Sequence, residues 1–113
     1  MERINENNQE FRFKDHGPKY MFRGPYMEWG IIVLKPGQDL GAHLHNETEE
    51  TFYIVEGTPI MTINNNDHRT NSGDAFKIDP KEPHNLTNDT NANIKVIFLK
   101  VPYNPEDKVS LNK

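Results

Sequence analysis

Short apolar runs separated by turn-forming residues recur along most of the chain. The runs span residues 27–35, 51–56, 58–63, 75–78 and 93–101, and the last is the most apolar of them. Glycine, proline and asparagine lie between the runs, where they favour turns. No apolar period of 3.6 residues persists for three helical turns, so we expect only minor helix. The pattern therefore predicts an all-β fold, either a sandwich or a small barrel of short strands.

The two ends of the chain are more polar than its middle. Residues 1–19 contain only four apolar side chains, among them Phe11 and Phe13, and they predict a polar N-terminal arm with at most one edge strand at 11–13. Residues 20–101 are expected to form the barrel, and residues 102–113 a polar, irregular C-terminal tail. The sequence contains no internal repeat and no sign of a second domain.

Composition excludes several classes of protein. The 113 residues include no cysteine, which rules out disulfides, cysteine-zinc sites, iron–sulfur clusters and thiol catalysis. No apolar run approaches the roughly 20 residues that span a bilayer, and the first residues lack a signal peptide, so a cytoplasmic protein without a membrane partner is expected. The net charge is −4 and the 13 lysines and arginines are scattered, so nucleic acid is not an expected partner.

Histidine and glutamate carry the clearest chemical signal. His43 and His45 stand at i and i+2, and on an extended strand such residues face the same side. A turn before the next strand would bring a glutamate, Glu49 or Glu50, back opposite the two histidines. His84 is the natural candidate for a fourth ligand. Three imidazoles and one carboxylate suit a single Mn, Fe, Co, Ni or Zn ion.

In these residues the sequence resembles the cupin superfamily, which has two spaced motifs. The first is Gly37, five residues, His43-x-His45, four residues, Glu50, six residues and Gly57; the second is Gly73-Asp74, nine residues, His84, three residues and Asn88. The resemblance implies a jelly-roll barrel, also called a double-stranded β-helix, with a metal ion inside. The ligands carried over by position are His43, His45, Glu50 and His84. The three glycines would form turns, and Asn88 would be a polar motif residue.

Two details accompany the resemblance. The motif spacing favours Glu50 over Glu49, and Glu50 would then share an inward face with Phe52 and Ile54 if the strand is regular. The second motif usually has proline and then glycine where this chain has Asp79 and Lys81, with Pro80 one place late. This departure puts the local turn in doubt but leaves the interval from Gly73 to His84 intact.

Catalytic residues are harder to name. The strand after Pro25 resembles one that often lines the cupin cavity, and alternation would put Tyr26 and Glu28 on one face and Met27 and Trp29 on the other. Either Tyr26 or Glu28 could act as a general acid or base, or hold a hydroxyl group of a substrate. The favoured alternative places Met27 and Trp29 in the core and leaves Glu28 exposed.

Other polar and aromatic side chains are expected at the surface. Arg12 and Arg23 could meet a carboxylate or phosphate, although solvent exposure is the simpler interpretation for each. His16 and His68 fall in polar loops, and Tyr53 is expected on the exterior or at an interface.

The leading functional hypothesis is a metal-dependent enzyme that acts on a small oxygen-rich molecule, such as a sugar, a carboxylic acid or a keto acid. Isomerase, lyase or decarboxylase, and dioxygenase chemistry all fit, because the fold alone does not choose among them. One alternative is a non-catalytic module that binds a sugar or carboxylate. Another is a metal-poor barrel that acts in assembly with a partner. The resemblance also implies a homodimer, in which Phe11 and Phe13 would dock on a neighbouring copy.

Overall fold

Ten β-strands form two five-stranded antiparallel sheets in the computed structural model, which describes residues 1–111. The first sheet has the order β1-β2-β9-β4-β7 and contains β1 (Gly17–Arg23), β2 (Glu28–Leu34), β9 (Ile94–Val101), β4 (Glu49–Glu56) and β7 (Ala75–Ile78). The second has the order β10-β3-β8-β5-β6 and contains β10 (Val109–Ser110), β3 (His43–Leu44), β8 (His84–Thr87), β5 (Ile60–Ile63) and β6 (Asn66–Arg69). Helix within the described residues is limited to one 3-10 turn at Glu6–Asn8. The prediction of an all-β fold with little helix is confirmed.

The core lies between the two sheets and follows from residue alternation along the strands. In the first sheet Ile32 lies opposite Val96, and Val96 lies opposite Ile54, so their inward side chains form one apolar row. Met61 and Leu86 face this row from the second sheet. All five are at most 2% exposed. Complete burial of branched and flexible apolar side chains is the main stabilising contribution in a domain of this size.

Five of the strands match the apolar runs in the sequence, and the others depend on tertiary context. The predicted runs correspond to β2, β4, β5, β7 and β9. Strand β6 is exposed at every residue and pairs with β5 across a turn at Asn64 and Asn65, where both residues have positive φ (51° and 67°). Two such residues form the turn that suits a tight hairpin. A polar strand of this kind leaves no hydrophobic pattern from which to predict it.

The N-terminal arm lies against the outer face of its own first sheet. The carbonyl oxygen of Glu6 accepts a hydrogen bond from Lys19 Nζ (2.9 Å), and the carboxylate of Glu6 pairs with Lys95 Nζ (2.9 Å). Residues 11–13 do not form the expected edge strand, because the chain turns back and Phe11 makes only an isolated bridge with Lys14. Docking of Phe11 and Phe13 on a second copy stays a prediction.

The C-terminal segment is more ordered than its polar sequence predicts. Strand β10 pairs with β3, so that Ser110 lies opposite His43. Further upstream, the carboxylate of Asp107 accepts hydrogen bonds from the backbone N–H groups of residues 46–48 at 2.6–3.0 Å. Residues 102–111 of the expected irregular tail therefore close over one end of the two sheets, and residues 112 and 113 of that prediction lie outside the described part of the chain. No helix within the described residues is long and apolar enough to cross a membrane.

Candidate metal centre

Four side chains converge at the end of the molecule that the C-terminal segment covers. One ligand atom from each lies within 4.8 Å of the others, and the four residues are His43, His45, Glu50 and His84. His43 begins β3, Glu50 is the second residue of β4 and His84 begins β8 directly opposite His43. All four are at most 7% exposed. The structure thus brings together the four residues that the motif spacing predicted as ligands.

The hydrogen bonds of the three imidazoles decide which ring nitrogen faces the centre. Each Nδ1 donates to a backbone carbonyl: His43 to Gly41 (2.7 Å), His45 to Asp107 (2.5 Å) and His84 to Glu82 (2.9 Å). A carbonyl oxygen can only accept, so each Nδ1 carries the proton. In a neutral imidazole the other nitrogen, Nε2, then carries a lone pair. Backbone bonds of this kind orient histidine as a metal ligand.

Glu50 shows why this arrangement calls for a cation. Its Oε1 atom lies 3.0 Å from Nε2 of His45 and 3.2 Å from Nε2 of His84. Both Nδ1 atoms already hold a proton, so the lone pairs of the two Nε2 atoms would point at the carboxylate oxygen of Glu50. This contact is repulsive unless a positive charge lies among the three atoms. Either an additional proton or a metal ion can supply that charge. The set of three nitrogens and one carboxylate fits a divalent transition metal.

The protonation states within the cluster favour the ligand forms. Burial alone would raise the pKa of Glu50, but when His45 or His84 carries the additional proton in place of a metal ion, its hydrogen bond holds the pKa of Glu50 well below the ordinary value, so the carboxylate is ionised. Burial lowers the pKa of His43 to about 4. His43 is therefore neutral at pH 7, which is the form that binds a metal.

A small cavity opens beside His43 and Glu50. The space in which the centre of a water molecule can move is about 30 Å³, enough for a few heavy atoms. Ile32, Leu40 and Phe98 contribute apolar side chains to its lining. The cations Arg12, Lys100 and Lys108 line it as well.

Glu28 occupies a second cavity beside the first, and its position corrects the favoured interpretation of this strand. Glu28 is 3% exposed, while Met27 is 38% exposed and Trp29 is half-buried. The carboxylate of Glu28 pairs with Arg23 Nε, and its other oxygen lies 3.6 Å from Lys100 Nζ. The expectation of an exposed Glu28 beside a core of Met27 and Trp29 was wrong, because these two cations offset the burial of the carboxylate.

Tyr26 does not join the site. It is 82% exposed in the turn that precedes β2, so it does not share the inward face of Glu28. The alternation assumed for residues 26–29 begins only at Glu28, where β2 itself begins. Of the two candidate catalytic residues, only Glu28 lies near the cluster.

The remaining motif residues have structural positions. Asn88 is fully buried, and its Nδ2 donates to the carbonyls of Leu34 (3.0 Å) and Ala92 (2.8 Å). The motif glycines have positive φ: Gly37 84°, Gly57 92° and Gly73 96°. His16 pairs with Asp15, His68 is exposed and Tyr53 is 45% exposed on the outer face of β4. His16 and His68 are not among the clustered ligands.

The turn before His84 has a left-handed residue at the position where the family pattern has glycine. Lys81 stands where the pattern has glycine and adopts a positive φ of 72°. Its backbone N–H donates to the carbonyl of His45 (2.6 Å), which joins the turn to the metal-ligand loop. The Asp79 N–H donates to Glu82 Oε1 (2.9 Å) and closes the turn. A lysine therefore holds a left-handed conformation that glycine adopts without strain.

Sequence reasoning missed three residues near the site. Lys100 lies in the predicted strand 93–101 and is two residues from Phe98, so alternation alone could have placed it on the inward face. Lys108 and Asp107 lie in the polar C-terminal segment, where no periodicity marks them. Their positions depend on where that segment crosses the sheets.

Comparison with known proteins agrees with this geometry. The sequence model of the family described as "Cupin domain" matches residues 30–100. "Uncharacterized protein MJ1618" of Methanocaldococcus jannaschii is 31% identical over 88 residues, which are 77% of this chain and 70% of that protein. "Tetracenomycin polyketide synthase protein TcmJ" of Streptomyces glaucescens is 25% identical over 80 residues, which are 71% of this chain and 54% of that protein.

A solved structure shares the whole fold. It is an "uncharacterized conserved protein with double-stranded beta-helix domain" from Klebsiella pneumoniae. The TM-score is 0.84 at 17% identity, and the match covers 100% of both chains. This likeness confirms the predicted double-stranded β-helix.

Proposed function

This chain belongs to the cupin family, and from that premise we propose that it binds one divalent transition-metal ion through His43, His45, Glu50 and His84. The observation that carries the proposal is the bonding of all three imidazoles through Nδ1 to backbone carbonyls, which leaves three Nε2 lone pairs beside an ionised carboxylate. The neutral form of His43 at pH 7 supports it. Mn, Fe, Co, Ni and Zn all suit this donor set.

We propose further that the protein is a metal-dependent enzyme for a small oxygen-rich molecule. When bound, the ion would supply a Lewis acid that polarises an oxygen of that molecule. The residues around the cavity would bind and orient that molecule. His43 and Glu50 border the cavity, and Phe98 and Ile32 would limit the access of water. The cations Arg12, Lys100 and Lys108 would orient a polar group of the molecule.

A non-catalytic binding module remains the second candidate, because one observation favours it. Glu28 is the buried carboxylate beside the cluster; one of its oxygens pairs with Arg23, and the other lies 3.6 Å from Lys100. A carboxylate paired in this way positions its cationic partners, which is a role in binding and not in proton transfer. Turnover of any small carboxylic or keto acid by the metal-loaded protein would favour the enzyme over this module.

The metal proposal can be tested with a matched pair of variants. Wild-type protein is supplemented with Mn, Fe, Co, Ni or Zn and its metal content is measured by elemental analysis. We expect about one ion per chain in the wild type and in Glu49→Gln, whose side chain lies on the opposite face of β4. Glu50→Gln should lose the ion, because it removes the anionic ligand. Equal metal content in the two variants would contradict the ligand assignment.

We also propose that two copies associate, as the family resemblance implies. Tyr53 and Val55 support this, since both are more than a third exposed on β4. Light scattering should then give about twice the 13.1 kDa chain mass. A mass of one chain at all concentrations would overturn the dimer without affecting the metal proposal.

A further inference from the structure

Three cations from distant parts of the sequence meet at the cavity beside the histidine and glutamate cluster. Arg12 comes from the N-terminal arm, Lys100 from β9 and Lys108 from the C-terminal segment, and all three line both neighbouring cavities. Lys100 has a partial partner in Glu28 at 3.6 Å. Within residues 1–111, the side chains of Arg12 and Lys108 form no salt bridge. Glu50 is the one carboxylate among the residues that line the first cavity, so three cations face a single negative charge there.

The position of these cations suits an anion from solution. Partial burial, together with the charges of Arg12 and Lys100, lowers the pKa of Lys108. Arg12 and Lys108 are also exposed, so both are accessible to an anion at the mouth of the cavity. An arginine and two lysines around one opening suit an oxyanion, which each of them can bind through a charge-assisted hydrogen bond.

The apolar residues that line the same cavity limit the kind of anion. Ile32, Leu40 and Phe98 present only carbon atoms from their side chains, and they are packed into or against the core. A neutral sugar would lose hydrogen bonds to water against these side chains and would leave the cations unpaired. Inorganic phosphate is polar on all sides and gains nothing from the apolar side chains. A molecule with one charged end and a short carbon skeleton can pair with the cations and also contact the apolar side chains.

We propose that this cavity binds a small organic carboxylate. Its charged end lies among Arg12, Lys100 and Lys108, and its carbon skeleton lies against Ile32, Leu40 and Phe98. The inference deepens the proposed function and rests on it to this extent: His43 and Glu50 border the cavity, so the bound molecule reaches the proposed metal centre. Among the three substrate classes that the sequence left open, it selects carboxylic and keto acids over sugars.

Calorimetric titration of the full chain tests the proposal with defined probes. Pyruvate, propionate, inorganic phosphate and D-xylose are titrated at fixed ionic strength into protein whose metal content has been measured. We expect saturable binding of pyruvate and propionate, weaker binding of phosphate and none of xylose. Arg12→Gln and Lys108→Met should each weaken pyruvate binding about tenfold, which corresponds to the loss of one charge-assisted contact.

Matched variants separate recognition from folding. Lys77→Met removes an exposed lysine from the outer face of β7 and should leave pyruvate affinity unchanged. Arg12→Lys retains the charge and should recover part of the affinity that Arg12→Gln loses. The metal content should be the same in all of these variants, because none of them changes a ligand. Thermal melting identifies a variant that fails to fold, and Lys108→Met then tests the proposal independently of the arm.

The outcomes distinguish this inference from the metal proposal. If the protein holds no metal but binds pyruvate in a way that depends on Arg12 and Lys108, the metal proposal fails and the carboxylate site stands. If the metal is present but pyruvate affinity is unchanged in both variants, the carboxylate site is overturned. Tighter binding of phosphate or xylose than of pyruvate, or no saturable carboxylate binding at millimolar concentrations, also overturns it.

Discussion

The two ends of the interior are built from the same strands and yet have opposite chemistry. At one end, β2, β9 and β4 contribute the apolar row of Ile32, Val96 and Ile54. At the other end the same three strands contribute the charged row of Glu28, Lys100 and Glu50, which lie opposite one another in the same register. A row formed by Gly30, Phe98 and Phe52 separates the two.

This contrast shows that inward orientation and apolar character are separate properties. Alternation along a strand decides which residues face inward, and Ile32 and Glu28 share the inward face because they are four residues apart on β2. Burial stabilises the apolar row by about 25 cal/mol for each Å² removed from water. Burial of the charged row costs free energy unless each charge has a partner. Stability is therefore concentrated at one end and ligand chemistry at the other.

The largest expected effect tests the apolar end. Ile54→Ala should lower the free energy of unfolding by about 2–5 kcal/mol, because it removes fully buried carbon atoms and leaves a cavity. Denaturant unfolding measures the change. The neighbouring Val55→Ala, at a position 38% exposed, should cost less than about 1 kcal/mol. If the folded Ile54→Ala protein also lost its metal, the two ends would not be separable.

Removal of the metal tests the polar end. A chelator should lower the free energy of unfolding of the metal-loaded protein by about 2–3 kcal/mol, the linkage expected when the free ion is near 100 times its Kd. Differential scanning calorimetry with and without chelator gives the change in Tm. The same chelator should have no effect on Glu50→Gln. An equal shift in that variant would show that the ion acts elsewhere.

Asp107 tests how the C-terminal segment supports the polar end. Asp107→Asn should lower the free energy of unfolding by about 1–2 kcal/mol at pH 7, because an ionised acceptor of several backbone N–H groups is replaced. Asparagine has nearly the same size as aspartate, so the steric effect of the substitution is small. Urea unfolding of the two proteins measures the difference.

The difference in unfolding free energy between the wild type and Asp107→Asn should depend on pH. Burial would raise the pKa of Asp107, but its backbone hydrogen bonds hold it below the ordinary value of 3.8. A depressed pKa in the folded state contributes stability above the unfolded pKa and loses it as pH falls through the folded value. The difference between wild type and Asp107→Asn should therefore be constant above about pH 5 and decrease below pH 4. A difference that grows in acid would exclude this explanation.

The smallest expected effect concerns the turn before His84. Lys81→Gly should raise the free energy of unfolding by about 1 kcal/mol, because glycine adopts a φ of 72° without a steric penalty. Lys81→Ala keeps the Cβ atom and should give no such gain. Metal content should be unchanged in both. Stabilisation by alanine equal to that by glycine would mean that the lysine side chain, and not backbone strain, is responsible.

Much of the candidate site was accessible from the sequence because its signals are local. The spacing of the cupin motif selected Glu50 over Glu49, in agreement with the parity of Phe52 and Ile54, and Glu50 is 3% exposed while Glu49 is only half-buried. The same logic misplaced Glu28, because a charged residue in an apolar run was expected to face water. Its burial depends on Arg23 and Lys100, and no local pattern shows that these two cations lie beside it.

The sequence by itself determined the all-β class and five of the strands, because alternation acts over a few neighbouring residues, and its resemblance to the cupin motifs predicted the set of four clustered residues. Only the tertiary structure decided which nitrogen each histidine presents, since those bonds reach carbonyls as distant as that of Asp107. It alone also placed Arg12, Lys100 and Lys108 around one cavity. Contacts between residues far apart in the chain depend on strand register and on the path of the terminal segments, and neither is encoded in local periodicity.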